Sequence, residues 1–549
     1  MPMFTAKLTS PAVALSAVLG LLVVTTAQAT ERTVSYTYND LGLVTSLDGP
    51  RTDVADVTTY DYDSQGNRIR ITNALGHTTQ ITAYDAAGRP LTSVDPNGLV
   101  TNMEYDLRGR LTRLDRGGEV TLLGYDAVGN LTSVTRPDGS AMQMHYDAAN
   151  RLVGVEDADG NRIQYTLDAM GNRTRVEVQD ATGQLVKLQR SVFDELSRLL
   201  QSIGASEQLT QYRYDANDNR TGLIDANGNA TGYAYDALNR LVSTTDPLGG
   251  SVAYGYDAQD HLTSVTDPNG NTTTYVYDGL GNLIEQHSPD TGTTTYTHDE
   301  AGNVLSKTDA KGQTTTYQYD ALNRLTHTRY ADGSDVTYDY DTAENGIGRL
   351  ASVSDPNGQT TWRYDPHGRV VTRTQSVPGD SVTTELTTAY HYNAVGQLSG
   401  MTYPSGLQVD YRYADGKLNA VSLNGSPLLS AISYQAFGPV SGWQWSNGSQ
   451  SVRGYDLDGR LIRQTLGSAT RQLVYDADGN ITGITDPADS QSFGYDPLNR
   501  LNTAAANAYH LNWEYDANGN RLSQTTTEAT TAYSIESGSN RLIDVGGTA

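Results

Sequence analysis

Tyr235-Asp-Ala-Leu-Asn-Arg-Leu241 is the first of five related heptapeptides in the block Thr231–Thr328. The others begin at Tyr256, Tyr277, His298 and Tyr319, so each starts 21 residues after the one before. A fixed period of this length is the signature of a repeat array, in which one small unit is stacked many times. The block therefore indicates an array of one short structural unit.

Each unit reads as two β-strands and two turns. In Tyr275-Val-Tyr277 the alternation of side chains along a strand places both rings on one face. The aspartate that follows can accept backbone N–H groups, and the next Gly or Asn supplies a left-handed position, so the chain reverses there. A second strand and a turn such as Asp267-Pro-Asn-Gly270 complete the period. The pattern predicts an all-β protein made of antiparallel hairpin repeats of about 21 residues.

The repeat extends along nearly the whole chain, with markers at the tyrosine position from Tyr38 to Tyr515. Four spacings are longer than the rest and predict lengthened loops, one of them at Ser376–Asp380. About 46 strands at about 4.8 Å each would form a ribbon on the order of 220 Å wide. Open twisted sheets rarely exceed about ten strands without curling. We therefore expect a continuous spiralling β-ribbon or shell.

Composition excludes several kinds of partner and bond. The chain has 549 residues, a formal net charge of −25 and no cysteine. Nucleic-acid binding needs clustered Lys and Arg, which this sequence lacks, so we expect no nucleic-acid partner. Disulfides and thiolate metal sites are excluded.

The N-terminus has the pattern of an export signal. Lys7 precedes an apolar run from Ala12 to Val24, and Ala27-Gln28-Ala29 has the small-x-small form of a signal-peptidase site. We expect cleavage after Ala29, which makes residues 1–29 the signal peptide and residues 30–549 the repeat domain. The apolar run is shorter than the ~20 residues that span a bilayer. The sequence thus predicts an exported protein, secreted or at the cell surface with the periplasm also open, and without a membrane span after cleavage.

The repeated heptapeptide also occurs as Tyr125-Asp-Ala-Val-Gly-Asn-Leu131, Tyr455-Asp-Leu-Asp-Gly-Arg-Leu461 and Tyr475-Asp-Ala-Asp-Gly-Asn-Ile481. In this heptapeptide the chain resembles the RHS, or YD-repeat, family. The family includes bacterial polymorphic toxins, wall-associated contact-inhibition proteins, the cocoon of insecticidal Tc toxins and teneurins. The resemblance implies a spiralling β-shell that encloses a toxic C-terminal domain or presents a surface for adhesion.

The toxin members end their repeats in an aspartate-containing motif for autoproteolysis, followed by a variable toxin. This sequence closes with Ser539-Asn-Arg-Leu-Ile-Asp-Val-Gly-Gly-Thr-Ala549 and lacks that motif, so no aspartate receives the protease role. Two interpretations stay open, a truncated polymorphic toxin without its C-terminal toxin and a shell without cargo of its own.

Acidic residues are too frequent to identify a site. Asp157-Ala-Asp-Gly-Asn161 and its copies at Asp225, Asp476 and Asp516 resemble the start of a calcium loop but lack its third ligand and its closing Glu. The pairs Asp61/Asp63 and Asp339/Asp341 fit turn caps better than paired catalytic carboxylates. The sequence has no zinc, nucleophile-elbow or phosphate-loop motif. We expect no catalytic residues, no metal, no cofactor and no enzymatic activity.

Trp443 and Trp445 form the one paired tryptophan site, within a more divergent part of the array at about 414–452. Packing is the usual role of such rings, and stacking on a sugar or contacting cargo is the other interpretation. The first hypothesis for the chain is a secreted, non-enzymatic, monomeric shell that encloses or carries a toxin-type polypeptide. The second is a cell-surface adhesion or carbohydrate-binding repeat protein, which would bind a surface ligand such as a glycan.

Overall fold

The structure is a computed structural model that describes residues 4–8, 31–379 and 382–546. These residues form strands and turns without any helix, which confirms the predicted all-β class. Accordingly, no described segment is a helix of the length and apolarity needed to cross a membrane. The predicted cleavage residues Ala27 and Ala29 lie outside the described residues, as does Asp380 of one predicted loop.

The strands are short and follow each other at the repeat period. Their bounds are β1 Phe4–Leu8, β2 Arg32–Tyr38, β3 Val44–Asp48, β4 Val57–Tyr62, β5 Arg68–Thr72, β6 Thr78–Tyr84, β7 Pro90–Val94, β8 Val100–Tyr105, β9 Leu111–Arg116, β10 Glu119–Tyr125, β11 Leu131–Thr135, β12 Ala141–Tyr146, β13 Leu152–Glu156, β14 Arg162–Leu167, β15 Arg173–Gln179, β16 Leu185–Phe193, β17 Leu199–Ile203, β18 Leu209–Tyr214, β19 Arg220–Ile224, β20 Ala230–Tyr235, β21 Leu241–Thr245, β22 Ser251–Tyr256, β23 Leu262–Thr266, β24 Thr272–Tyr277, β25 Leu283–Ser288, β26 Gly292–His298, β27 Val304–Thr308, β28 Thr314–Tyr319, β29 Leu325–Arg329, β30 Asp335–Tyr340, β31 Leu350–Asp355, β32 Gly358–Tyr364, β33 Val370–Val377, β34 Thr384–Tyr392, β35 Leu398–Thr402, β36 Gln408–Ala414, β37 Lys417–Leu423, β38 Ser426–Tyr434, β39 Val440–Trp445, β40 Gln450–Tyr455, β41 Leu461–Leu466, β42 Ala469–Tyr475, β43 Ile481–Thr485, β44 Gln491–Tyr495, β45 Leu501–Ala506, β46 Tyr509–Tyr515, β47 Arg521–Thr525, β48 Thr530–Ile535 and β49 Leu542–Val545.

Each strand pairs antiparallel with the next one along the chain, as β20–β21 and β21–β22 illustrate. The register shifts by one residue at the marker tyrosine, for example between Ala234 and Tyr235. Such a bulge increases the local twist of a ribbon. The described residues thus form one continuous antiparallel ribbon of hairpin repeats, as the repeat pattern predicts.

In most repeats an aspartate follows the marker residue and organises the turn. Asp236 Oδ1 accepts the backbone N–H groups of Leu238 and Arg240 at 2.9 and 3.0 Å, and its Oδ2 accepts Arg240 Nε at 2.8 Å. Asn239 takes the left-handed conformation between them, with φ of 62°. We call this the Tyr-Asp turn, and the turn at the opposite end of each hairpin the far turn.

The marker tyrosine itself links neighbouring repeats. The Tyr256 hydroxyl donates to the carbonyl of Leu241 at 2.9 Å, one repeat earlier. Arg240 of the earlier turn lies over the Tyr256 ring, 4.9 Å from its centre, and donates to the carbonyl of Asp257 at 2.9 Å. The hydroxyl bond recurs along the ribbon at Tyr62, Tyr146, Tyr214, Tyr319, Tyr413 and Tyr515, among others. The Tyr-Asp pair is thus both a turn cap and a clamp between repeats.

The chain divides into two compact units, each built from separate stretches of the ribbon. Unit 1 comprises residues 1–120, 274–394 and 401–406, and unit 2 comprises residues 121–273, 395–400 and 407–549.

Within unit 1, far turns of the first stretch contact Tyr-Asp turns of the second. Asn97 and Ile347 exchange two hydrogen bonds at 2.9 and 2.8 Å, although 250 residues separate them. Arg51, whose side chain is 2% exposed, donates to the carbonyl of Asp320. Glu119 pairs with Arg369 at 2.6 Å. We call such a row of contacts a seam.

Unit 2 contains a seam of the same kind. Asp458 accepts the Ala205 N–H and the Gln208 side-chain amide, both at 2.7 Å. Lys417 pairs with Asp157 at 3.3 Å and also with Asp159. The seam partners throughout both units are 247 to 273 residues apart in sequence. Within each unit, therefore, far turns contact Tyr-Asp turns that come roughly twelve repeats of about 21 residues later in the chain.

The long repeat spacings have two different structural causes. The spacing from Tyr38 to Tyr62 holds the loop that carries Arg51 into the seam of unit 1, and the spacing from Tyr340 to Tyr364 holds the loop with Ile347. The other two spacings reflect longer hairpins, β15–β16 and β33–β34. The loops with Arg51 and Ile347 therefore mark seam contacts of unit 1. The longer hairpin β15–β16 also reaches the seam of unit 2, because the Leu188 N–H donates to the Leu457 carbonyl at 2.9 Å.

Candidate functional site

Trp443 and Trp445 lie on one face of β39 in unit 2. Their ring centres are 6.1 Å apart and the ring planes meet at 71°, an edge-to-face arrangement. Trp445 is 38% exposed, and its indole N–H donates to Ser451 Oγ at 2.8 Å. The Trp443 indole N–H is buried and has no hydrogen-bond partner among the described residues. The pair is thus partly packed and partly presented to solvent.

The neighbouring strand adds a cation to this face. Ser451 lies directly opposite Trp443, and Arg453 follows two residues later on the same face of β40. The Arg453 guanidinium lies 5.1 Å from the centre of the Trp443 ring, within the range of a cation–π contact. Gln464 of β41 is the register partner of Arg453 and extends the same face.

These side chains line an open surface cavity of about 480 Å³. Its rim is polar, with Ser446, Asn447 and Ser449 from the far turn after β39. Ligand pockets in proteins are mostly about 300–1,000 Å³ and combine aromatic walls with a few placed polar groups. Chemically, the cavity can offer an aromatic surface, several hydroxyl and amide groups, and one positive charge.

The sequence identified the two tryptophans, and the structure brings both into one cavity. Which ligand they contact, sugar or cargo, stays a prediction. The sequence analysis missed Arg453. Its signal in the sequence is its position: it stands two residues before the marker Tyr455, where many repeats have tyrosine.

The acidic candidates serve as turn caps, ion-pair partners or acceptors of side-chain hydrogen bonds. Asp157 Oδ1 accepts the Asn161 N–H at 2.9 Å, and Asp63 caps its own turn in the same way. Asp341 pairs with Arg324, and Asp339 accepts the Ser352 hydroxyl at 2.7 Å. In the part of the chain that the structure describes, no three acidic or histidine side chains are grouped to hold a metal ion.

One carboxyl group of the unit 2 seam stands apart. Asp478 Oδ1 accepts the Ala226 N–H at 2.7 Å, while its Oδ2 is buried without a hydrogen-bond partner among the described residues. Burial, together with the Asp225 carboxyl across the seam, raises the pKa of Asp478. Elsewhere in the seam the trend is opposite: burial alone would raise the pKa of Asp157, but Asn161 and Lys417 hold it below its usual value.

Comparison with known families identifies the repeat. The RHS repeat family matches residues 193–230, 215–251, 235–272, 256–293, 277–312, 298–335, 345–377 and 475–511. The teneurin YD-shell family matches residues 21–178. Together the two families cover both the first part of the chain and its central repeats.

Relatives and solved structures agree with these matches. Two probable deoxyribonucleases of Dickeya dadantii, RhsB and RhsA, are 29% and 27% identical over 146 residues, which is 26% of this chain and 9% of each relative. The structure of TcdB2-TccC3 without its hypervariable C-terminal region has a TM-score of 0.76 and 15% identity, covering 93% of this chain and 36% of that one. The Photorhabdus luminescens Tc holotoxin pore has a TM-score of 0.71 and 15% identity, covering 96% and 37%. The chain is an RHS/YD-repeat protein with the shell fold of these toxin structures.

Proposed function

We propose that this chain is an exported, non-enzymatic shell that encloses or carries a polypeptide. The family and the fold support a shell scaffold. We infer a polypeptide cargo of the toxin type from the surfaces that the ribbon presents.

The observation that carries the proposal is the half-buried tyrosine face of a single-layer ribbon. In β24, Tyr275 and Tyr277 are half-buried on one face, while Thr274 and Val276 are exposed on the other. No large side chain among the described residues is less than 2% exposed. A globular domain normally packs two layers around a fully buried core. One layer whose face carries tyrosines in most repeats is better suited to a surface against which another polypeptide can pack.

Two further points support this choice over an enzyme. The aspartates with a lowered pKa are bonded to turn N–H groups or to neighbouring side chains, as Asp236 is to Arg240 and Asp157 to Asn161. The deoxyribonuclease activity named for the Dickeya relatives belongs to proteins of which this chain matches 9%, so it does not transfer.

The test uses the mature chain co-produced with the polypeptide encoded directly beside it in the source genome. We expect that polypeptide to co-purify and to resist proteinase K, and to be digested when the seam is weakened by Asp458→Ala. The exposed Asp410, changed to Asn, is the matched control and should preserve protection. Free digestion of the polypeptide in the presence of the unmodified chain would contradict the proposal.

The second candidate function, adhesion through a carbohydrate, is favoured by one specific observation. Trp445 presents its ring in a cavity with a polar rim, as described above. Loss of binding to a glycan array in a Trp443→Ala/Trp445→Ala double variant would support it. Array binding that survives in the double variant, or no array binding at all, would remove it.

A further inference from the structure

Arg453 occupies a position that is aromatic or uncharged in the other repeats, two residues before the marker; we call this position the column of Arg453. The residue two positions before the marker is tyrosine in many repeats, and Trp362, Ile432, Phe493 and Trp513 are typical replacements. Along the markers from Tyr38 to Tyr515, Arg453 is the single charged residue in this column. A positive charge has therefore been placed on the face that otherwise carries aromatic rings.

The charge of Arg453 is not neutralised by a carboxylate in the described part of the chain. Most arginines of the turns are paired, as Arg460 shows with Asp456 at 2.8 Å. Arg453 instead contacts the face of Trp443. In a chain of net charge −25, an arginine that borders a cavity without an acidic partner is a natural contact for an anionic group.

A stacked arginine alone does not define a site, because Arg521 lies over Trp513 at 5.8 Å in the same unit. There, however, Gln524 accepts hydrogen bonds from both Trp513 and Arg521, at 3.1 and 3.2 Å. That second stack is satisfied within the protein. The Arg453 stack instead borders the 480 Å³ cavity.

The remaining walls of the cavity suit a sugar ring. Trp445 is fixed by its bond to Ser451, yet 38% of it stays exposed, so its ring is a preorganised flat surface for C–H groups. The rim at Ser446, Asn447 and Ser449 offers hydroxyl and amide groups that can donate and accept hydrogen bonds. Aromatic surface, polar rim and one cation together match a hexose that bears a carboxylate.

We propose that the cavity at Trp443, Trp445 and Arg453 binds an acidic sugar residue, with the pyranose ring on Trp445 and the carboxylate on the Arg453 guanidinium. This site does not depend on the carrier function; it rests on the second candidate function, carbohydrate adhesion, and specifies the class of sugar. It would give an RHS/YD shell a means of contacting acidic glycans.

The test is isothermal titration calorimetry of the mature chain with methyl β-D-glucuronide and methyl β-D-glucoside. The two sugars differ only at C6, which is a carboxylate in the first and a hydroxymethyl group in the second. We expect the glucuronide to bind about tenfold more tightly, since charge-assisted hydrogen bonds are the stronger ones. Arg453→Tyr restores the usual residue of the column and should abolish the difference. Trp445→Ala should weaken both ligands.

Arg521→Tyr is the matched control, because it removes the other arginine stacked on a tryptophan in unit 2 and should leave both affinities unchanged. Circular dichroism of each variant checks that the ribbon is folded. Equal affinity for the two sugars, no binding of the glucuronide by the unmodified chain, or tighter binding of N-acetylphenylalanine through its carboxylate would overturn the proposal.

Discussion

Removing one hydroxyl group from a marker tyrosine tests whether the Tyr-Asp motif clamps neighbouring repeats. Tyr256→Phe keeps the ring and its contact with Arg240 but deletes the 2.9 Å bond to the Leu241 carbonyl. A neutral hydrogen bond contributes about 1 kcal/mol net to stability, so the variant should lose about that much. A second change at Tyr146, five repeats away with the same bond at 2.9 Å, should add to give about 2 kcal/mol.

Hydrogen exchange measured by mass spectrometry is the suitable assay, because a long repeat array need not unfold in one step. Peptides that cover residues 241–256 should exchange about fivefold faster in Tyr256→Phe, as 1 kcal/mol predicts. Tyr254 is the internal control, since it lies on the same strand and its hydroxyl makes no hydrogen bond within the described residues. Equal exchange in Tyr254→Phe and Tyr256→Phe would refute the clamp.

Three further predictions concern the seams. Burial and the neighbouring Asp225 carboxyl raise the pKa of Asp478, so the free energy of unfolding falls as the pH rises through that pKa. Asp478→Asn should therefore raise the melting temperature at pH 7 and not at pH 4. The pKa of Asp157 is lowered, so its ion pair with Lys417 stabilises the fold at neutral pH and that stabilisation is lost on acidification. Lys417→Met should lower the melting temperature at pH 7, and the melting temperature of this variant should fall less between pH 5 and pH 3 than that of the unmodified chain. Leu238 and Leu322 stand in identical heptapeptides, but Leu238 is 66% exposed whereas Leu322 is half-buried in a seam. Leu322→Ala should therefore lower the free energy of unfolding by about 1 kcal/mol and Leu238→Ala by less than about 0.5 kcal/mol, as denaturant titration would measure.

The repeat unit could be predicted because its signals are local. The Tyr-x-Tyr alternation, the capping aspartate and the left-handed Gly or Asn each act within a few residues, and in repeats such as Tyr233–Leu241 all three agree. Asp236 caps its turn as the pattern indicates, with both predicted backbone acceptor contacts present. The same locality explains why the acidic strings fit turns better than calcium loops.

The seams could not be predicted, because their partners are about 250 residues apart and no local pattern announces them. Arg51 illustrates this limit: in the sequence it lies in an unremarkable loop, and in the structure its side chain is almost fully buried against a turn near Asp320. The 24-residue spacing between Tyr38 and Tyr62 was the available signal. Similarly, Trp443 and Trp445 stood out by residue type, whereas Arg453 joins them only through strand pairing.

Within each unit, far turns meet Tyr-Asp turns about 250 residues later. The cysteine-free chain allows a direct measurement with a pair of introduced cysteines, Asn227→Cys and Asp476→Cys, whose native side chains are hydrogen-bonded at 3.1 Å. A short bismaleimide should join this pair within one molecule, as mass spectrometry of the linked peptides would show. A cysteine at the exposed Asn217 instead of Asn227 should not link to position 476. Absence of the 227–476 link, or equal linking from position 217, would contradict the contact between far turns and Tyr-Asp turns.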